Sequence, residues 1–148
     1  MRLAPASFKS AVFVVIQFVC LIVIFININF IPNNILIGFG ISIFLILGIW
    51  AVSSMKFSFN IAPDISSDTK LALKGPYKFI RHPMYSSVLG ITICYILNDF
   101  SLLRFLVFVI LQINFIFKLD YEEKILLAKF PEYSDYKRLT KRLIPFIY

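Results

Sequence analysis

The stretch ILIGFGISIFLILGIWAVSSM, residues 35–55, contains no charged side chain. A second uncharged run precedes it, from Ala11 to Ile31. Each run matches the roughly 20 apolar residues that an α-helix needs to cross the hydrocarbon core of a bilayer. The segment Pro32-Asn-Asn34 separates the two runs, and these residue types suit a tight turn. The sequence therefore predicts two membrane-spanning helices, at 11–31 and 35–55, joined as a hairpin.

Two shorter apolar runs follow, from Met84 to Asn98 and from Ser101 to Phe117. Asp99 separates them, and the second run contains only Arg104, close enough to its end for the side chain to reach the membrane surface. These runs could be two upright helices in a locally thinned membrane, or a hairpin that leans against the longer pair. We favour spanning helices, which makes the chain an all-α polytopic membrane protein with about four transmembrane helices.

The chain after Phe117 is charged again and predicts a surface helix. Apolar residues recur at helical spacing between Leu119 and Arg142, as is typical of an amphipathic helix at the membrane interface. Pro131 should break this helix before a second short segment. With a polar loop at 56–83 and a charged C-terminal region at 118–148, the four spans are expected to form one domain covering 1–148.

Composition agrees with a membrane location and disfavours other classes. Hydrophobic residues make up 59% of the chain, far more than in an ordinary soluble domain, although the formal net charge is +7. The basic residues flank long uncharged runs, so membrane lipids are the expected partner and nucleic acid is a poor one. One histidine and two isolated cysteines provide no four-ligand zinc set, and we therefore expect no metal.

The distribution of basic residues predicts the orientation. Arg2 and Lys9 precede the first run, five basic residues lie between the second and third runs, and seven occur from Lys118 onward, whereas only Arg104 falls on the other side. Basic residues collect in cytoplasmic loops, so both termini and the central loop are expected in the cytoplasm. The loop and the C-terminal region at 118–148 would then share one face of the membrane and could build one site.

The stretch LKGPYKFIRHPMY, residues 73–85, is the first candidate for chemistry. His82 followed by Pro83 predicts a helix start, because proline is preorganised for the first helical position. The free N–H groups of that turn, helped by Arg81, would favour a nearby anion. The same basic and aromatic residues would also suit a plain interfacial anchor, and the stretch alone leaves both interpretations open.

The stretch KLDYEEKIL, residues 118–126, is the second candidate. Lys118 and Glu122 are four residues apart and share a helix face with Leu126. Taken alone, the two charges could form a solvated ion pair without a function.

Together, the two stretches resemble in order and spacing the C-terminal motifs of isoprenylcysteine carboxyl methyltransferases and related phospholipid methyltransferases. The resemblance implies a membrane-embedded pocket for S-adenosylmethionine, unlike that of the soluble Rossmann methyltransferases. It covers about half of the chain and is carried by Gly75-Pro-Tyr77, Arg81-His-Pro-Met-Tyr85, Glu122-Glu-Lys-Ile-Leu126, Phe130-Pro-Glu-Tyr133-Ser-Asp-Tyr136 and Ile144-Pro145.

The resemblance also implies roles for residues at matching positions. Arg81 and Lys118 would hold the anionic end of a lipid-like or prenylated acceptor, and Glu122 would suit the ammonium group or ribose hydroxyls of the cofactor. Lys118 stands where the family commonly has a substrate-binding arginine, and lysine lacks the planar bidentate grip of arginine, which leaves a different acceptor open. Ser87 and Thr69 stand where the family often has glycine and histidine. The implied cofactor contacts are Lys70, Leu71, Ala72, Tyr77, His82, Pro83, Met84, Tyr85 and Glu122.

Carboxyl O-methylation of an isoprenylcysteine-type acceptor is the favoured function. The alternative is a lipid N-methyltransferase, with His82 or Glu123 as the candidate base, because an amine must lose a proton. Sterol reductases with a related pocket rank third. A non-enzymatic four-helix transporter or structural protein would predict an ionisable residue deep in a span, and the first two runs contain none.

Overall fold

A computed structural model describes residues 8–26, 28–55, 71–145 and 147 of the chain. Its helices are α1 Phe8–Phe25, α2 Ile35–Met55, α3 Pro83–Asn98, α4 Leu102–Lys129 and α5 Tyr133–Leu139, with a 3-10 turn at Gly75–Lys78 before α3. Within the described ranges one isolated bridge is the only β-type pairing, so the predicted all-α fold is confirmed. Helices α1, α2 and α4 are long and apolar enough to cross a membrane, and α3 is a shorter apolar helix. The chain is an integral membrane protein, and the cytoplasmic placement of its termini stays a prediction.

The first helix is shorter at its C-terminal end than the predicted span. It covers Phe8–Phe25, whereas the uncharged run extends to Ile31. Beyond the helix, Asn29 Oδ1 accepts a hydrogen bond from the Ile31 N–H at 3.0 Å. Likewise, Asn34 Oδ1 accepts from the Leu36 N–H at 2.8 Å and so caps α2. These local bonds compete with the helical ladder, which is why the connector is longer than a three-residue turn.

Asn98, the last residue of α3, attaches this connector to the other half of the bundle. The Asn33 N–H donates to Asn98 Oδ1 at 2.7 Å, and Asn98 Nδ2 donates to the Asn29 carbonyl at 3.2 Å. At the same end, Arg104 Nη1 and Asp99 Oδ2 form an ion pair at 2.7 Å. This end of the bundle is therefore tied together by polar groups that neither candidate stretch contributes.

Helix α4 differs from the prediction, because it runs unbroken through the boundary expected after Phe117. The separate amphipathic helix expected from Leu119 is instead the C-terminal part of α4. No proline or glycine occurs between Leu102 and Lys129, so the change from apolar to charged residues alters the surroundings and not the backbone. At 1.5 Å per residue the helix is about 42 Å long, longer than the ~30 Å hydrocarbon core. Its end at Lys129, before Pro131, and the short α5 that follows are as predicted.

The bundle is held by three helix pairs: α1 packs on α4, α2 packs on α3, and α3 packs on α4. Two polar contacts also join α1 to α4. Asn114 Nδ2 donates to the Phe13 carbonyl at 3.2 Å, and Lys118 Nζ donates to Gln17 Oε1 at 2.8 Å. The buried apolar cluster where α1, α3 and α4 meet consists of Cys20, Ile24, Ile96, Phe108, Leu111 and Phe115.

The contact between α2 and α3 depends on small residues. A Cβ atom added to Gly90 would lie 2.2 Å from the ring of Phe44, so the ring occupies the space that a side chain would need. Nearby, Ser87 Oγ donates to the Phe44 carbonyl at 2.6 Å. This close approach positions the start of α3 beside the end of α2.

Candidate active site

The segment that leads into α3 is turned by Gly75 and the 3-10 turn. Gly75 has a φ of 62°, which glycine adopts readily and other residues rarely do, and a Cβ atom there would collide with Ser54 of α2. Pro83 then occupies the first position of α3, and His82 is its N-cap residue. The helix start predicted from the His82-Pro83 pair is therefore confirmed.

This leading segment is paired with residues 140–143, which we call the C-terminal segment. The Arg81 N–H donates to the Lys141 carbonyl at 2.8 Å, and the His82 N–H donates to the Arg142 carbonyl at 3.1 Å. In addition, Ser86 Oγ donates to the Leu143 carbonyl at 2.6 Å. The chain thus returns from α5 to cover the start of α3.

The start of α3 and the acidic pair on α4 converge, as the two candidate stretches predicted. Tyr85 Oη donates to Glu122 Oε1 at 2.5 Å, and His82 Nδ1 lies 3.6 Å from Glu122 Oε2. The Tyr85 ring packs against Phe115 with 4.8 Å between centroids. A carboxylate, a phenol and an imidazole therefore meet beside the apolar core.

Lys118 approaches the same place from the membrane side. Its side chain is 1% exposed, and Nζ lies 5.1 Å from the centroid of the Tyr85 ring. The hydrogen bond to Gln17 and the ring together accommodate the ammonium in a buried position. A cation thus lies next to the tyrosine that Glu122 binds, one helical turn before that glutamate.

Glu123 is the centre of a second polar group. Its carboxylate is 2% exposed and contacts Arg81 Nε at 2.9 Å, Lys137 Nζ at 3.0 Å and Arg142 Nη2 at 3.0 Å. His82 Nε2 lies 3.5 Å from the same carboxylate, so the imidazole stands between Glu122 and Glu123. Sequence reasoning considered Glu123 only as a possible base and did not single out Arg142.

Tyr77 and Tyr136 join the 3-10 turn to α5. Tyr136 Oη donates to the Tyr77 carbonyl at 2.7 Å. Burial raises the pKa of Tyr136 to about 12, and burial together with the neighbouring Tyr136 and Glu122 raises the pKa of Tyr77 as well. Both hydroxyls are therefore protonated at neutral pH. A groove of about 330 Å³ beside Tyr136 is lined by Leu71, Leu73, Lys78, Glu132, Tyr136, Leu139 and Thr140.

The structure brings some of the predicted site residues together and separates others. Arg81 and Lys118 have different neighbours: Arg81 contacts Glu123 and the C-terminal segment, whereas Lys118 contacts Gln17 and Tyr85. Leu71 and Ala72 are half-buried ahead of the 3-10 turn, Met84 is half-buried in the first turn of α3, and Lys70 lies outside the described residues. His82, Tyr85 and Lys118 lie together with the acidic pair, Glu122 and Glu123.

The comparison with protein families identifies a match over more than half of the chain. The family described as the isoprenylcysteine carboxyl methyltransferase family matches residues 36–128. This range includes both candidate stretches and ends before α5 and the C-terminal segment. A search of curated proteins finds no match to the chain.

Proposed function

Because the chain belongs to the isoprenylcysteine carboxyl methyltransferase family and is a membrane methyltransferase, we propose that it uses S-adenosylmethionine to methylate a lipid-like carboxylic acid. The acceptor would be of the isoprenylcysteine type. The observation that supports this most directly is the contact between Tyr85 and Glu122, which joins the start of α3 to α4 at one buried place.

The residues at this place fit the charges of the cofactor. S-adenosylmethionine carries a carboxylate, an ammonium and a sulfonium. Glu122 suits the ammonium or the ribose hydroxyls, and the first turn of α3 after Pro83 suits the carboxylate, because helix N-termini favour anions. His82 Nε2 is buried 3.5 Å from Glu123 Oε1 with no well-aligned hydrogen bond, which leaves it able to donate to a polar group of the cofactor.

The chemistry needs alignment more than acid–base catalysis. When bound, the cofactor supplies a methyl group already activated by the sulfonium, and an ionised carboxylate is already a nucleophile. The protein therefore has to hold the two in line in a site from which water is excluded. The packing of Tyr85 against Phe115 provides such a dry wall on the core side.

Lys118 is the residue best placed to hold the carboxylate of the acceptor. An ammonium has three donors, and Gln17 accepts from one of them. The residues near Lys118 on α1 and α4 present apolar side chains outward, so an acceptor with a hydrocarbon tail can approach from the bilayer. Arg81, the other predicted acceptor contact, is engaged by Glu123 and by the Thr140 carbonyl, and it would have to exchange one of these to bind an acceptor.

Calorimetry on detergent-purified protein tests the cofactor part of this proposal. Wild-type protein should release or absorb heat on titration with S-adenosylmethionine, and Glu122→Ala should lose the signal. Asp135→Ala, which removes an exposed carboxylate of α5, is the control and should bind as the wild type does. Absence of binding by the wild type would contradict the proposal and favour a non-enzymatic membrane protein.

A second candidate, lipid N-methylation, is favoured by the position of His82. The imidazole lies within 3.6 Å of Glu122 and 3.5 Å of Glu123, so a proton taken from an amine acceptor could be held there. Alkaline treatment of labelled products separates the two reactions, because a methyl ester releases methanol and an N-methyl group does not. Label that stays with the lipid would exclude the carboxylate acceptor.

A further inference from the structure

The three cationic partners of Glu123 come from three different parts of the chain. Arg81 precedes α3, Lys137 belongs to α5, and Arg142 lies in the C-terminal segment, yet all three contact one carboxylate on α4. Arg142 also reaches Asp120 Oδ1 at 2.6 Å. The cluster therefore ties the last residues of the chain to the helix that carries Glu122.

Backbone contacts extend this connection to the start of α3. Arg81 Nη1 donates to the Thr140 carbonyl, and the Arg81 and His82 N–H groups donate to the carbonyls of Lys141 and Arg142. Arg142 thus acts twice: its guanidinium is fixed by α4, and its carbonyl fixes His82. Movement of Arg142 would move the residue that leads directly into the first turn of α3.

We propose that Glu123 and Arg142 are positioning residues for cofactor binding, which act by holding the C-terminal segment against Arg81 and His82. The inference rests on the proposed function, since it concerns the affinity for S-adenosylmethionine. It assigns a role to a part of the chain that lies beyond the family match, which ends at residue 128.

The burial of Glu123 explains why breaking its contact with Arg142 can disturb the start of α3. Its carboxylate is 2% exposed, and Arg142 is the partner that contacts both of its oxygens, at 3.2 and 3.0 Å. Loss of one partner of a buried charge leaves the remaining groups to rearrange. Arg81 and His82 are among those groups, so the rearrangement reaches the start of α3.

The test uses full-length Arg142→Gln in detergent and two measurements. Hydrogen exchange without cofactor should be faster in the peptide that contains the Arg81 and His82 amides. The dissociation constant for S-adenosylmethionine, measured by calorimetry at a temperature where the variant is fully folded, should rise about 10- to 100-fold. Asp99→Asn breaks the ion pair with Arg104 at the opposite end of the bundle and is the matched control, expected to change neither quantity.

A double-mutant cycle separates positioning from general loss of stability. Glu123→Gln also loses the contacts with Arg81 and Lys137, so Glu123→Gln/Arg142→Gln should bind the cofactor about as weakly as Glu123→Gln alone, because Arg142 then has no Glu123 carboxylate left to hold. If Arg142→Gln does not fold, Lys137→Gln decides the matter. The Lys137 side chain is 42% exposed, and loss of its ammonium should weaken cofactor binding about two- to fivefold.

The outcomes distinguish this inference from the proposed function. If the wild type binds S-adenosylmethionine and Arg142→Gln binds it equally well, the inference is overturned and the proposed function stands. Unchanged exchange at Arg81 and His82, or additive effects in the cycle, would overturn it as well. If the wild type binds no cofactor, both are overturned.

Discussion

Replacement of Tyr85 by phenylalanine removes one oxygen atom and isolates the hydrogen bond to Glu122. The ring would keep its packing against Phe115 at 4.8 Å and its contact with Lys118 at 5.1 Å. A hydrogen bond to a charged group contributes about 1.5–3 kcal/mol. The lower end applies here, because the Glu122 side chain is 15% exposed and keeps His82 at 3.6 Å. About 1.5 kcal/mol corresponds to roughly tenfold weaker binding of S-adenosylmethionine, since Glu122 would lose the donor that orients it.

Calorimetry measures this change, and the same helix offers a matched control. The Tyr95 hydroxyl on α3 makes a long contact, 3.5 Å, to the Phe30 carbonyl at the other end of the bundle, so Tyr95→Phe should bind the cofactor as the wild type does. Normal cofactor binding by Tyr85→Phe, together with loss of binding in Glu122→Ala, would contradict this prediction, because Glu122 would then need no orienting partner. Equal weakening by Tyr85→Phe and Tyr95→Phe would refute it too, since the effect would not be local.

Three further predictions concern packing, the acceptor and pH. Gly90→Ala should lower the free energy of unfolding by about 1–3 kcal/mol in thermal unfolding experiments, because its Cβ would lie 2.2 Å from the Phe44 ring. Lys118→Ala should raise the KM for the acceptor about tenfold, whereas removal of the exposed ammonium of Lys124 on the same helix should leave it unchanged. The pKa of Tyr136, raised from 10 to about 12, predicts stability that is intact below pH 10 and lost as the pH rises toward 12. Tyr136→Phe has no phenol to ionise, so the part of the stability loss between pH 10 and 12 that comes from Tyr136 should be absent.

The lengths of the uncharged runs in the sequence were sufficient to predict most of the membrane fold. The span at 35–55 coincides with α2, and Pro83 begins α3 as the His82-Pro83 pair indicated. The end of α1 was missed, because asparagine side chains that bond to their own backbone are indistinguishable in sequence from asparagines inside a helix. The continuity of α4 was missed for a related reason: hydropathy reports where a helix leaves the bilayer and says nothing about whether it ends there.

The candidate site was predictable where the chemistry lies within a short motif. The meeting of Tyr85 with Glu122 followed from two stretches that were expected on the same membrane face, and the structure confirms their convergence. The partners of Glu123 were not predictable in this way. The role of Arg142 depends on the path by which the C-terminal segment returns to α4, which no local pattern in the sequence records.

The unbroken course of α4 couples depth in the bilayer to the geometry of the reaction. Lys118 and Glu122 are four residues apart on one continuous helix, so the axial spacing between the proposed acceptor anchor and the proposed cofactor anchor is fixed at about 6 Å. A thicker or thinner bilayer would change the depth of both residues by the same amount. The lipid would thereby set how far an acceptor must rise from the hydrocarbon to be reached, while the axial spacing of the two proposed anchors would stay the same.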